Sequence, residues 1–210
     1  MGRLYLIWAA LLLTATVVLA SEPCVLPERC FRRPAHWVNV AKLGVATDLM
    51  YVRPAFFSAE PAYRRGAVCW VTGCVGRKLL VAERMLRERG YRLVVHDGYR
   101  PFRVTVDMWN WGVANGADLR LLAPPPLGSA HNKGAAVDVS LLSVAGNVVP
   151  LMPSKVDDLS ASGVKKCDTE ASATLAFCMK EAGFFRHPLE WWHFSCLECE
   201  KIEKIYDFVP

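Results

Sequence analysis

Long stretches of like charge are missing from this chain. Basic and acidic residues are interspersed, apart from the short pairs Arg32-Arg33 and Arg64-Arg65, and the formal charge is only +5, one unit of it from Arg3. A charge so diffuse excludes the clustered basic face that nucleic-acid binding needs. Internal repeats and low-complexity tracts are also missing, and the Pro/Gly-rich places are too short to be interdomain linkers, so solenoids and beads-on-a-string architectures drop out. The apolar run Leu4 to Leu19 holds 16 residues, short of the roughly 20 that a membrane-spanning helix needs. It follows Arg3 and ends at the small-residue pattern Val18-Leu19-Ala20 before polar Ser21-Glu22-Pro23, so residues 1–20 read as a secretory signal. The expected destination is the periplasm or the exterior, with no membrane association beyond that segment. Residues 21–210 are enough for a single domain with a sizeable core.

Cysteine is not scarce. Eight of them, at 24, 30, 69, 74, 167, 178, 196 and 199, form an even count in a chain that reads as exported, which favours disulfides. Their clustering suggests local staples: Cys24 with Cys30, Cys69 with Cys74, Cys167 with Cys178 and Cys196 with Cys199. The run His193-x-x-Cys196-x-x-Cys199 is also a zinc-site spacing; in an oxidising compartment the disulfide is the expectation.

Apolar Leu79, Leu80, Ala82, Met85 and Leu86 recur near helical spacing between Arg77 and Arg89, with Gly90 as a stop. Tyr91 to His96 is a buried strand by its β-branched and apolar content, running into the turn-like Asp97-Gly98-Tyr99-Arg100-Pro101. Pro101 to Gly112 looks like a second helix entry. Ala123-Pro124-Pro125-Pro126-Leu127-Gly128 is an extended loop, because consecutive prolines deny a helix its donors. Alternation from Ala135 to Leu142 puts Val137, Val139 and Leu141 on one strand face and Ala136, Asp138 and Ser140 on the other. A last helix is expected over Thr169 to Ala182, closed by Gly183, and Glu190 to Phe194 reads as the final core strand.

Three pieces can carry chemistry: Ser129 to Asp138, Glu190-Trp191-Trp192-His193, and His96 to Pro101. A catalytic zinc site takes three protein ligands and keeps one position for water, and His131, Asp138 and His193 are able to supply such a set. Glu190 is then available to take a proton from that water and pass it to a leaving amine, and Arg100, with its fixed fork of donors, to steady an oxyanion or a substrate carboxylate. The plainer reading is that these are satisfied structural residues. It is adopted for His36, His96 and His187, but fits Asp138 poorly, because an unpaired carboxylate on an apolar strand is costly to bury. One geometric difficulty stands: Glu190 and His193 are three apart, and on a regular strand they would point to opposite faces. A bulge or bend would remove it.

On these residues the chain resembles the D-alanyl-D-alanine dipeptidases of the vancomycin-resistance type, within the zinc D,D-peptidases that share a fold with hedgehog signalling domains. The likeness runs from about Asp48 to the C-terminus. It rests on Ser129-x-His131-x-x-Gly134-x-Ala136-x-Asp138, Glu190-Trp191-Trp192-His193 and the Asp97 to Pro101 turn, with weaker matches at Asp48-Leu49-x-Tyr51, Met152-x-Ser154-x-x-Asp157 and Tyr206-Asp207-Phe208.

The resemblance implies an α+β fold with a central antiparallel sheet flanked by helices, and hydrolysis of D-alanyl-D-alanine. It implies one Zn2+ per chain at His131, Asp138 and His193, Glu190 as general base and acid, Arg100 on the tetrahedral intermediate, and Ser129 and Asp157 binding the small D,D-dipeptide. Asp157 would take its amino group, with Asp158 beside it as the alternative. Departures at Ala55-Phe56-Phe57, His96, Pro153 and the cysteine count bear on substrate choice more than on catalysis. The nearest rival is a D,D-carboxypeptidase or endopeptidase on peptidoglycan stem peptides. A silent metal-bearing binding domain is a further rival, against which Glu190 argues.

Overall fold

A computed structural model of the protein describes residues 26–145, 148–160, 168–201 and 204–210. The expected secretory signal falls outside the described residues. Nine strands and three α-helices are described: β1 (Arg29–Cys30), β2 (Trp37–Asn39), β3 (Ala46–Thr47), β4 (Trp70–Thr72), α1 (Gly73–Arg87), β5 (Tyr91–Asp97), α2 (Phe102–Asn115), β6 (Ala136–Ser143), α3 (Glu170–Glu181), β7 (Phe185–Arg186), β8 (His193–Ser195) and β9 (Ile205–Tyr206). The central sheet has the order β3-β5-β6-β8-β7. It is antiparallel except at one edge, where β3 lies parallel to β5. The expected α+β class with helices flanking a central sheet therefore holds.

Thr72 caps α1 by accepting from the Val75 amide, which starts the helix four residues before the apolar spacing alone suggests. Its buried stripe of Val75, Leu79, Ala82 and Leu86 packs on the sheet and on α3. At α3 the capping box is reciprocal, Thr169 accepting from the Ser172 amide while the Ser172 hydroxyl accepts from the Thr169 amide. Strand β6 is buried on both faces from Ala136 to Leu141, so its polar Asp138 and Ser140 lie inside the protein rather than toward solvent. Placing a carboxylate there requires cationic or donor partners, and the chain supplies them.

Two irregularities aim side chains at one end of the sheet. A bulge at His96 breaks the β5–β6 register, so that Val95 pairs with Val139 and Asp97 with Asp138. His96 itself is held by the Asp48 carbonyl and the Ser140 hydroxyl, consistent with its structural reading. Strand β8 is shorter than expected: it begins at His193, and Glu190 sits in the turn before it, where the His193 amide donates to the Glu190 carbonyl at 3.2 Å. Because Glu190 is in a turn, the strand alternation that would separate it from His193 does not apply.

The cysteine expectations need correction. Cys69 is buried without a disulfide partner, and the sulfur of Cys74 instead meets that of Cys199, 125 residues away. Burial pushes the Cys69 thiol far above its usual range. The same Cys199 sulfur also lies against that of Cys196, the partner the sequence suggested, so it stands between two candidate partners. Cys30 and Cys178 have no disulfide partner among the described residues, and Cys24 and Cys167 lie outside them.

Candidate active site

His131 is fixed from both sides. The turn that carries it, Ala130–Lys133, opens with a capping box in which the Ser129 hydroxyl accepts from the His131 amide and the Asn132 side chain accepts from the Ser129 amide. Asn132 also donates to the Arg100 carbonyl and the Thr105 hydroxyl, tying the turn to the entry of α2. Gly134 then turns the chain with φ of +62° directly over the Trp37 ring. Trp37 in turn packs edge-on against Tyr99, Tyr206 and Phe208, which is where the Tyr206-Asp207-Phe208 segment acts. Within the site, His131 Nδ1 lies 2.7 Å from the Gly98 carbonyl, so that nitrogen carries the proton and Nε2 presents its lone pair.

Three donor atoms converge there. His131 Nε2 is 3.1 Å from His193 Nδ1, His193 Nδ1 is 3.1 Å from Asp138 Oδ1, and His131 Nε2 is 3.5 Å from Asp138 Oδ2. A tetrahedral ion with ligands at about 2.0–2.1 Å spaces them about 3.4 Å apart, so the donor set fits a metal. His193 Nε2 rests 3.0 Å from the Ser195 hydroxyl, which accepts its proton and leaves Nδ1 for an ion. The alternative zinc run is overturned: β8 turns His193 toward Asp138 and His131, away from the sulfurs of Cys196 and Cys199.

Arg100 is buried between two carboxylates, its Nε donating to Asp97 at 2.8 Å and its Nη2 to Asp138 at 3.1 Å, with the guanidinium over the Tyr51 ring. Burial raises the Asp97 carboxyl, with Arg100 and His131 opposing the rise. Burial would raise Asp138 as well, but His131 and His193 hold it well below the usual carboxylate range. Glu190 differs. Its carboxylate lies 3.8 Å from His193 and 3.9 Å from His187, and burial followed by the Asp138 charge pushes it up to about 8. Asp157 accepts from the Tyr51 hydroxyl at 3.0 Å and is likewise pushed up to about 8, by burial first and then by Asp138 against the pull of Arg100.

A cavity of about 300 Å3 joins these groups: His131, Asp138, His193, Glu190, Arg100, Asp157 and Ser129 all line it, the Ser129 hydroxyl being engaged as the cap. That volume is at the small end of ligand pockets, which run from about 300 to 1,000 Å3. All seven residues singled out from the sequence are thus brought together, and Asp157 rather than Asp158 faces the cavity. Sequence reasoning missed Asp97, Tyr51, Ser195 and His187. The first two stood inside quoted motifs without a role; His187, read as structural, lines the cavity.

A family model described as D-ala-D-ala dipeptidase matches residues 34–209. The D-alanyl-D-alanine dipeptidase of Enterococcus faecium is 26% identical over 188 residues, spanning 79% of this chain and 92% of that protein. The enzyme of the same name from Synechocystis sp. (strain ATCC 27184 / PCC 6803 / Kazusa) is 34% identical over 102 residues, 40% of this chain and 38% of that one. Among solved structures, the LD-carboxypeptidase LdcB is similar with a TM-score of 0.48 at 15% identity, covering 82% of this chain and 74% of that one.

Proposed function

The chain belongs to the D-Ala-D-Ala dipeptidase family of metallopeptidases, and from that premise we propose that it hydrolyses D-alanyl-D-alanine with one zinc ion held by His131, Asp138 and His193. The observation that carries this reading is the convergence of those three donors, 3.1 to 3.5 Å apart, on a small cavity that also contains Glu190, Arg100 and Asp157. Zinc in such a set supplies a Lewis acid that polarises a carbonyl and lowers the pKa of a water.

The chain's own residues do the rest. Glu190 lines the same cavity as the triad, 3.8 Å from His193, where it would receive a proton from the attacking water and return it to the departing amine. Arg100 keeps its charge under any working condition and brings it to the edge of the cavity, where a tetrahedral oxyanion would develop. Its two carboxylate partners fix the guanidinium in place, so little reorganisation is needed during reaction. Asp157, buried beside Tyr51, is a receptor for the substrate's ammonium. Ser129 supports His131 through its cap, and its place in the cavity wall is consistent with a contact to the dipeptide.

A site that pairs a metal triad with an ammonium receptor within one small cavity selects for substrate length. Free dipeptide and a stem pentapeptide ending in D-Ala-D-Ala, compared at equal concentration, test this directly. Preferential release of D-alanine from the dipeptide supports the dipeptidase reading; preference for the pentapeptide would replace it with a D,D-carboxypeptidase. The basic residue and apolar run at the N-terminus support action outside the cytoplasm, on extracytoplasmic dipeptides.

A further inference from the structure

His187 lines the cavity but is neither one of the three converging donors nor a receptor for the dipeptide's charged ends. Its place is built into the chain. The His187 amide donates to the His193 carbonyl at 2.9 Å, which seats it against the start of β8, and the Glu190 amide donates to the His187 carbonyl at 3.4 Å. His187 and Glu190 therefore stand at the first and fourth positions of one β-turn. Pro188 occupies the second position, which its fixed φ favours. The turn delivers both side chains to the same stretch of cavity wall.

The His187 ring lies edge-on to that of His193, with centroids 5.7 Å apart. Its Nδ1 is closed off from solvent and has no hydrogen-bond partner among the described residues. A polar nitrogen buried without a partner is costly, and a nitrogen sealed in this way leaves no room for a bridging water. Nδ1 stands 3.9 Å from Oε2 of Glu190, too far for a hydrogen bond as it rests. A shift of about 1 Å in the Glu190 side chain brings the pair to the roughly 2.8 Å of a hydrogen bond to a carboxylate. Contacts of this kind are often long until a site is engaged.

We infer that His187 is a positioning residue for the general base: in the working site its Nδ1–H donates to one oxygen of the Glu190 carboxylate and leaves the other to take the water's proton. This rests on Glu190 acting as the base. The hydrogen bond fixes the rotation of the carboxylate, which no other described side chain hydrogen-bonds, and it satisfies the buried ring nitrogen in the same step. His187 acts through Glu190 and need not touch the dipeptide.

The test compares His187→Leu with His187→Asn in the zinc-loaded full chain. Leu removes the donor, whereas Asn can place an amide N–H where Nδ1 stands. Leu should lower kcat for D-alanyl-D-alanine by about 10- to 100-fold, as expected for loss of a hydrogen bond to a charged group, with KM and bound zinc little changed. Asn should recover most of that loss. In a Glu190→Ala background His187→Leu should cost nothing further, because the partner is already gone. A second readout needs no turnover: histidine-labelled protein should show a hydrogen-bonded ring N–H resonance that is lost in both His187→Asn and Glu190→Ala. If the Leu variant fails to fold, this resonance still decides the matter. Asn no better than Leu, an equal loss in the Glu190→Ala background, or absence of the resonance overturns the inference. The resonance present in a zinc-loaded chain that cleaves no dipeptide would uphold the pair and fail only the functional reading.

Discussion

Replacing Asp157 by Asn separates substrate recognition from stability. Asp157 takes a backbone φ of +65°, which Asn tolerates better than most residues, so the exchange keeps the turn and the contact to Tyr51 while removing the charge. The free carboxyl is protonated at neutral pH, and the arriving ammonium favours its ionised form, so the variant loses a charge-assisted hydrogen bond of at most about 1.5–3 kcal/mol. At about 1.4 kcal/mol per decade that lowers kcat/KM for D-alanyl-D-alanine by at most about 10- to 150-fold. The same loss should be absent with N-acetyl-D-alanyl-D-alanine, which has no ammonium to bind. Stability should move the other way. The folded carboxyl holds its proton up to about pH 8, whereas an unfolded one releases it near 3.8, so the folded state binds more protons throughout that window and stability falls as pH rises through it. Glu190 contributes with the same sign. Chemical denaturation of metal-free protein from pH 5 to 8 should therefore show a flatter pH dependence for the Asn variant. Equal loss of kcat/KM on both dipeptides, or an unchanged pH dependence of stability, would refute this account of Asp157.

Glu190→Ala should retain metal at the triad and lose turnover by about 100- to 10,000-fold, the range for removal of a general base; metal analysis beside a D-alanine assay reads both, and near-normal turnover would remove Glu190 from the mechanism. His131→Ala should lose the active-site ion, since it removes one of three donors and the only one anchored on Gly98, and equilibrium dialysis against zinc measures it. Gly134→Ala should destabilise by about 1–3 kcal/mol, read by urea denaturation. The added Cβ falls 2.8 Å from the Trp37 ring in a backbone region that glycine favours, and Trp37 is locked among three other rings.

The parts legible in the sequence were those with a local period or a fixed motif. The apolar spacing of Leu79, Ala82 and Leu86 marked α1, and the alternation from Ala135 to Leu142 marked β6, although β6 is buried on both faces. His131 and Asp138 were readable together because one turn and one strand carry both. What failed lay in long-range geometry. The meeting of Cys74 with Cys199 spans 125 residues and leaves no local pattern, so proximity in sequence gave the wrong partner for Cys69. The bulge at His96 and the turn at Glu190 depend on pairing between strands, and they decide where Asp97 and Glu190 point. His187 looked like an isolated histidine because nothing before the fold brings it to the cavity wall.

The central claim is metal-dependent cleavage of a D,D-dipeptide at the His131, Asp138 and His193 triad. Its most direct test is D-alanine release from D-alanyl-D-alanine by the purified chain, before chelation, after chelation, and after zinc is restored. Release that disappears with the metal and returns with zinc is the predicted result. No release from protein with zinc bound at the triad would contradict the claim.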